Sequence, residues 1–176
     1  MNILYKLIIV FIKNSSVFSL PYLRNFRWYL YRNYYKTGKL YVDEGVTIVN
    51  AHISDKSHFF CGDHVHVGKG VYIDTSGGVF IEGEMSISEG VKIYTHNHDV
   101  NGFNKDWKKN DIVFSSLKIE KYSWLGSQVL VLPNVNVISE GSVVAAGSVL
   151  TKNTEPYAIY AGNPARKISE RNVDEV

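Results

Sequence analysis

Ile81-Glu82-Gly83-Glu84-Met85-Ser86-Ile87-Ser88-Glu89-Gly90-Val91-Lys92-Ile93 puts isoleucine at every sixth position, and the polar stretch Tyr94-Thr95-His96-Asn97-His98-Asp99 then breaks the pattern. Upstream, Val67 and Ile73 keep the same spacing, and a two-residue slip at Gly77-Gly78 resets the register before Ile81. After His98 the pattern stops. It resumes as Ile119, Leu125 and Val131, slips by one residue, and continues as Ile138, Val144 and Leu150. A fixed short period identifies a repeat architecture and takes precedence over other readings. A period of six suits a triangular coil with three short flat faces, in which one residue of each face points inward and stacks on its counterpart one coil away. Backbone groups then pair between coils, and the core is a column of Val, Ile and Leu. A sandwich would alternate with period two over longer strands, without turns recurring at six. Gly62, Gly68 and Gly126 stand beside aliphatic positions, where a corner is tight. The stretch around Ile48, Ile53 and Phe59 follows the rule poorly and is expected to be irregular.

Outside the repeat, the chain changes character. At 176 residues it is long enough for one domain with a real core. A hydrophobic fraction of 45% with 20% charged residues excludes a disordered chain. The single cysteine, Cys61, rules out an internal disulfide and sits at an inward position of its hexad, so it reads as core and a reducing cytoplasm is the default. Residues 1–40 carry Lys6, Lys13, Arg24, Arg27, Arg32, Lys36 and Lys39 and no acid, interleaved with Leu7, Val10, Phe11, Trp28 and several tyrosines. This reads as one or two short helices broken at Asn14-Ser15-Ser16 and Pro21. The apolar run 3–12 is too short to cross a membrane. Two uses stay open: a helical cap on the end of the coil, or a basic amphipathic segment resting on the inner face of a membrane. No nucleic-acid motif accompanies the charge.

The C-terminal half carries Ser123-Trp124-Leu125-Gly126-Ser127, Val131-Leu132-Pro133, Val144-Ala145-Ala146-Gly147-Ser148-Val149-Leu150-Thr151-Lys152 and Tyr160-Ala161-Gly162-Asn163-Pro164-Ala165-Arg166. In this order and spacing the chain resembles the hexapeptide-repeat acyltransferases, and within them the sugar O-acetyltransferase branch that includes maltose and galactoside acetyltransferases. The resemblance covers about residues 60–170. It implies an all-β fold, a left-handed parallel β-helix, with a helical N-terminal segment (1–40), the coil itself (41–155), a protruding loop (99–118) and a C-terminal tail (156–176) that leaves the coil and ends frayed or helical.

The family's catalytic histidine lies just before the protruding loop, five residues after an aliphatic position, and His98 matches from Ile93. The resemblance implies that His98 is a general base taking the proton of a sugar hydroxyl as it attacks acetyl-CoA, a task for a group that titrates near neutrality. Transfer would be direct, without an acyl-enzyme. The cofactor's arm is implied to run along Trp124, Ser127, Ala146, Thr151, Lys152 and Arg166, with the two cations toward phosphates. Asp74, His96 and Trp107 are the candidates for acceptor binding. His96 is also the alternative base, and an extended segment would put it on the same face as His98. The family forms homotrimers with sites between subunits. The zinc-dependent γ-carbonic anhydrases share the fold and gather three histidines on one metal. Here no third ligand falls in phase with His64, His66, His96 and His98, so no metal site is expected, and His52, His58, His64 and His66 read as solvated corner residues. Alternative functions are N-acetylation of an amino or nucleotide sugar, antibiotic acetylation, and a non-catalytic scaffold.

Overall fold

A computed structural model describes residues 3–173. From Leu40 to Leu150 the chain visits three parallel sheets in rotation. The first contains Leu40–Val42, Val65–Val67, Met85–Ile87, Trp124–Leu125, Val143–Val144 and Ala158–Gly162. The second contains Thr47–Val49, Tyr72–Asp74, Lys92–Ile93, Leu130–Val131 and Val149–Leu150, and the third Phe59–Cys61, Val79–Ile81, Leu117–Ile119 and Val137–Ile138. Each strand is two or three residues long except near the C-terminus, so each face is short and each corner follows at once.

The register explains the six-residue period. Val42, Val67, Ile87, Leu125, Val144 and Tyr160 align on the first face. Ile48, Ile73, Ile93, Val131 and Leu150 align on the second. Cys61, Ile81, Ile119 and Ile138 align on the third. Successive isoleucines of the repeat thus belong to successive faces, and nearly all of these side chains are fully buried. Corners are equally tight. A Cβ on Gly126 would lie 2.7 Å from the Ala146 backbone nitrogen in the next coil. At the slip, a Cβ on Gly77 would meet the carbonyl oxygens of Ser115 and Thr95 at 2.3 and 2.4 Å. The stretch expected to be irregular is so only at Ile53, which projects into solvent; Ile48 and Phe59 keep register with Ile73 and Val79.

Two helices cover the first coil. Helix α1 spans Ile3–Ile12 and α2 spans Leu23–Tyr35, with a short 3-10 turn at Ser16–Ser19 between them. Arg27, Leu30, Tyr31 and Tyr34 recur at helical spacing and form the buried face of α2. The first coil's strands are edge strands, whose outward carbonyls need partners. Side chains of α2 supply them. Arg32 Nε donates to the Leu40 carbonyl at 2.9 Å and Trp28 Nε1 to Val42 at 3.1 Å; the Tyr31 and Tyr35 hydroxyls reach Val46 and Ile48 at 3.3 and 3.4 Å. The outer face of α1, with Leu7, Val10 and Phe11, is exposed. No helix among the described residues is long and apolar enough to cross a membrane.

The C-terminal segment departs from expectation. Ala158–Gly162 does not leave the coil but adds to the first sheet beside Val143–Val144, and Ala165–Glu170 folds back on it antiparallel. The reason is the open edge left by the last coil, which the hairpin pairs. Of the charged tail, residues 174–176 lie outside the described residues.

Candidate active site

All the segments that follow the second-sheet column emerge at one corner of the coil. Residues 50–52 follow Ile48, 74–77 follow Ile73, 94–98 follow Ile93, 133–134 follow Val131 and 151–152 follow Leu150. At this corner the chain departs from the coil: His96–His98 pairs antiparallel with Ile112–Phe114, forming a hairpin whose tip carries a 3-10 turn, Trp107–Lys109. The coil resumes at Leu117.

Asp74 is the hub of the corner. Its carboxylate is 0% exposed. Oδ1 accepts from the backbone N–H groups of Ala51 (3.3 Å) and Ser76 (3.0 Å) and from the Ser76 hydroxyl. Oδ2 accepts from the Thr95 N–H and hydroxyl, both at 3.0 Å, and from His96 Nδ1 at 2.6 Å. Burial alone would raise the carboxyl's pKa, but the hydrogen bonds from Ser76, His96 and Thr95 reverse this and hold it well below the usual carboxylate range. Asp74 is therefore ionised and committed on both oxygens. Expected to contact an acceptor, Asp74 is fully buried, with every one of these bonds made to the protein itself. His96 donates its Nδ1 proton to that carboxylate, which fixes the tautomer and leaves Nε2 as the free nitrogen.

His98 lies beyond His96 on the hairpin's first strand, with ring centroids 6.1 Å apart. Its Nδ1 is buried and has no hydrogen-bond partner among the described residues. Trp107 packs its ring against His98 edge to face at 5.0 Å. That contact, made through the hairpin tip, places Trp107 on the histidine rather than across open space. A hollow of about 300 Å³ opens beside His98, lined by Asn97, Asp99, Ser115, Pro133 and Asn134 among others. Asn134 Nδ2 donates to the Thr151 carbonyl, so the hollow adjoins the Thr151–Lys152 end of the same corner.

The remaining candidates are not gathered there. Ser127 and Ala146 follow the first sheet, at the next corner round, where the Gly147 N–H donates to the Ser127 carbonyl at 2.8 Å. Trp124 stands outward on the first sheet, its Nε1 donating to Ser88 Oγ at 2.9 Å. Arg166 lies in the C-terminal hairpin. Lys152 and Arg166 are exposed and form no ion pair among the described residues. Val149–Leu150 is the terminal strand of its sheet, so its outward peptide groups face an open edge.

One residue was missed by sequence reasoning. His52, expected to be a separate solvated residue, stands against both others, with ring centroids 4.6 Å from His96 and 5.6 Å from His98. His58, His64 and His66 remain apart from it: His58 bonds the Lys56 carbonyl, and His66 approaches Asp43. The Ile48–Ile73–Ile93 register would have found His52, but the first coil's weak repeat concealed that register.

No family model matches the chain. Among curated proteins it is 31% identical to a probable macrolide acetyltransferase of Lysinibacillus sphaericus, over 66% of this chain and 65% of that one. It is 30% identical to the galactoside O-acetyltransferase of Escherichia coli, over 70% of this chain and 62% of that one. The chain thus spans less than two thirds of the length of these relatives. Among solved structures, a hexapeptide-repeat containing acetyltransferase from Vibrio cholerae superposes with a TM-score of 0.75 at 22% identity, covering 95% of this chain and 88% of that one. AntD, an N-acyltransferase from Bacillus cereus in complex with dTDP and 3-hydroxybutyryl-CoA, superposes with a TM-score of 0.65 at 20% identity, covering 77% and 71%. With its three rotating sheets, its helical cap and a repeat interrupted at the histidine corner, the chain has the hexapeptide-repeat, β-helix-like fold that these acyltransferase structures share.

Proposed function

We propose that the chain is a hexapeptide-repeat acyltransferase, with the left-handed winding of that family, that moves an acetyl group from acetyl-CoA to a hydroxyl of a carbohydrate acceptor. The observation that carries this reading is the pairing at one corner of His98, facing an open hollow, with His96, locked by a buried carboxylate. Support comes from the curated acetyltransferase relatives and from the CoA-thioester complex among the similar folds.

Acetyl-CoA, when bound, supplies an activated acyl thioester. The chain's own residues fit such a molecule: an open strand edge at Val149–Leu150 can pair with amides of a thin arm, and Lys152 and Arg166 are exposed cations, without an ion pair among the described residues, suited to phosphates. His98 accepts the proton of the attacking hydroxyl. His96 Nε2, its lone pair turned outward by Asp74, accepts a second hydroxyl and orients the acceptor. Trp107 holds the His98 ring and screens it from water. The candidate cofactor residues fall on two corners of one chain, which suits a groove between copies, one copy giving the histidine corner and the next Ser127 and Ala146; a homotrimer follows from this reading. The reaction is placed in the cytoplasm, with the exposed apolar side of α1 and Lys6 turned to the membrane or to another copy.

A second assignment of the base has its own support. Of the His96–His98 pair, His96 is the one with a buried carboxylate bonded behind its ring among the described residues, the arrangement in which a carboxylate orients a general-base imidazole. Thiol release from acetyl-CoA, measured across a panel of sugars, amino sugars and macrolides with mass spectrometry of the products, tests both. Loss of about 10²–10⁴-fold in His98→Ala, with a smaller loss in His96→Ala, supports His98 as base. The reverse order moves the base to His96, and acetyl found on nitrogen changes the acceptor class. No binding of acetyl-CoA at all ends the reading.

A further inference from the structure

His52, His96 and His98 each offer a ring nitrogen, and the three nitrogens lie within 4.8 Å of one another. They arrive from separate coils: His52 from the first, His96 and His98 from the hairpin that interrupts the third. Two features of this group suit a metal ion. First, His96 gives Nδ1 to Asp74 Oδ2 at 2.6 Å, so the nitrogen it presents is Nε2, with a buried carboxylate directly behind the ring. A carboxylate on the far nitrogen is the outer partner that orients metal-binding histidines and raises their donor strength. Second, His98 Nδ1 is buried without any hydrogen-bond partner among the described residues, and a buried ring nitrogen left alone calls for a partner. His52 joins the same network from behind, since its backbone N–H donates to Ser76 Oγ at 2.9 Å and that hydroxyl bonds Asp74.

We propose that His52, His96 and His98 form a binding site for a zinc-class divalent transition-metal ion, and that an ion seated there occupies the imidazole of His98 and stops acyl transfer. The first half stands on the geometry of the three rings; the second half rests on the acyltransferase reading. Three imidazoles with one position left open are a donor set that suits Zn²⁺, Co²⁺, Ni²⁺ or Cu²⁺ and not Mg²⁺ or Ca²⁺. Zn–N bonds of about 2.0–2.1 Å in a tetrahedral site put the nitrogens roughly 3.3–3.4 Å apart, so closing from the present separation moves each ring little. His52 is the ring best able to make that move. It lies between strands, next to Ile53, which is 94% exposed, whereas His96 is held by Asp74.

The test uses the full chain, stripped with a chelator and then titrated with Zn²⁺ by calorimetry and with Co²⁺ by visible absorption. One ion per chain, with the intense absorption of four- or five-coordinate cobalt, is the expected result. His52→Ala should lose more than about 100-fold in zinc affinity, beyond the range for losing only an outer partner, while keeping transfer activity in chelator and escaping inhibition by zinc. Zinc affinity unchanged in His52→Ala, or a cobalt spectrum that stays that of the aqua ion, overturns the site. If the wild type binds zinc as expected but transfers acetyl to nothing, the site stands and the acyltransferase reading falls. If transfer proceeds undiminished with zinc bound, the inhibitory half is overturned.

Discussion

Replacing Asp74 by Asn tests whether the buried carboxylate holds the histidine corner together. The amide preserves shape but turns one of two acceptor oxygens into a donor. On the Oδ2 side the new NH₂ would face the Thr95 N–H and the His96 Nδ1–H; on the Oδ1 side it would face the N–H groups of Ser76 and Ala51. Hydroxyls can rotate to accept and His96 can change tautomer, but backbone N–H groups cannot adapt. At least one buried N–H is left unmet, at about 1–3 kcal/mol, and at least one bond to a charged group is lost, at about 1.5–3 kcal/mol. The sum is about 2.5–6 kcal/mol, which for a chain of this size lowers Tm by roughly 5–24 °C.

The pH dependence has a definite sign. Asp74's native pKa is depressed, so its contribution is complete above the unfolded value of about 4 and is lost as pH falls through the native value. The stability gap between wild type and Asp74→Asn is therefore full at neutral pH and narrows in acid below about pH 4. Thermal and urea unfolding in the presence of a chelator, followed at several pH values, measures both quantities. A loss under about 1 kcal/mol at pH 7, or a gap that does not depend on pH, would falsify the view that this carboxylate organises the corner.

Three further outcomes are expected. Gly77→Ala brings a Cβ within 2.3 Å of a backbone oxygen and should destabilise by at least about 1–3 kcal/mol, with the His96 and His98 ring resonances displaced in NMR spectra; an unshifted spectrum contradicts the close packing. The Cys61 thiol is buried and pushed up to about 12 by burial and then by Asp63, so thiol reagents at pH 8 should modify it only on unfolding; rapid labelling of the native protein would refute this. Arg27 is fully buried, and among the described residues its Nε and Nη1 have no hydrogen-bond partner while Nη2 donates to the Ser15 carbonyl; desolvation lowers its pKa. Arg27→Met should accordingly leave Tm unchanged or raise it, and a fall of more than about 6 °C would show that the guanidinium stabilises the cap.

What the sequence determined by itself is the coil. Ile81, Ile87 and Ile93, and later Ile119, Leu125 and Val131, declare three inward columns because a short face admits one buried residue and the stacking geometry forces it to recur. The slip at Gly77-Gly78 and the interruption at His98 were visible for the same reason, as breaks in a strict period. The C-terminal hairpin was not, since pairing with an open sheet edge is satisfied by backbone and leaves little trace in side chains. Of the two uses left open for residues 1–40, the cap became visible only through contacts across the fold, where Trp28, Tyr31, Arg32 and Tyr35 of α2 meet carbonyls of the first coil. The histidine corner was half readable. His96 and His98 announced themselves by position, but the role of Asp74 as a buried hub and the approach of His52 depend on which coils stack on which. That register is a long-range property: His52 is brought to His96 by the pairing of Ile48 with Ile73 and of Ile73 with Ile93, and no local pattern around His52 encodes it.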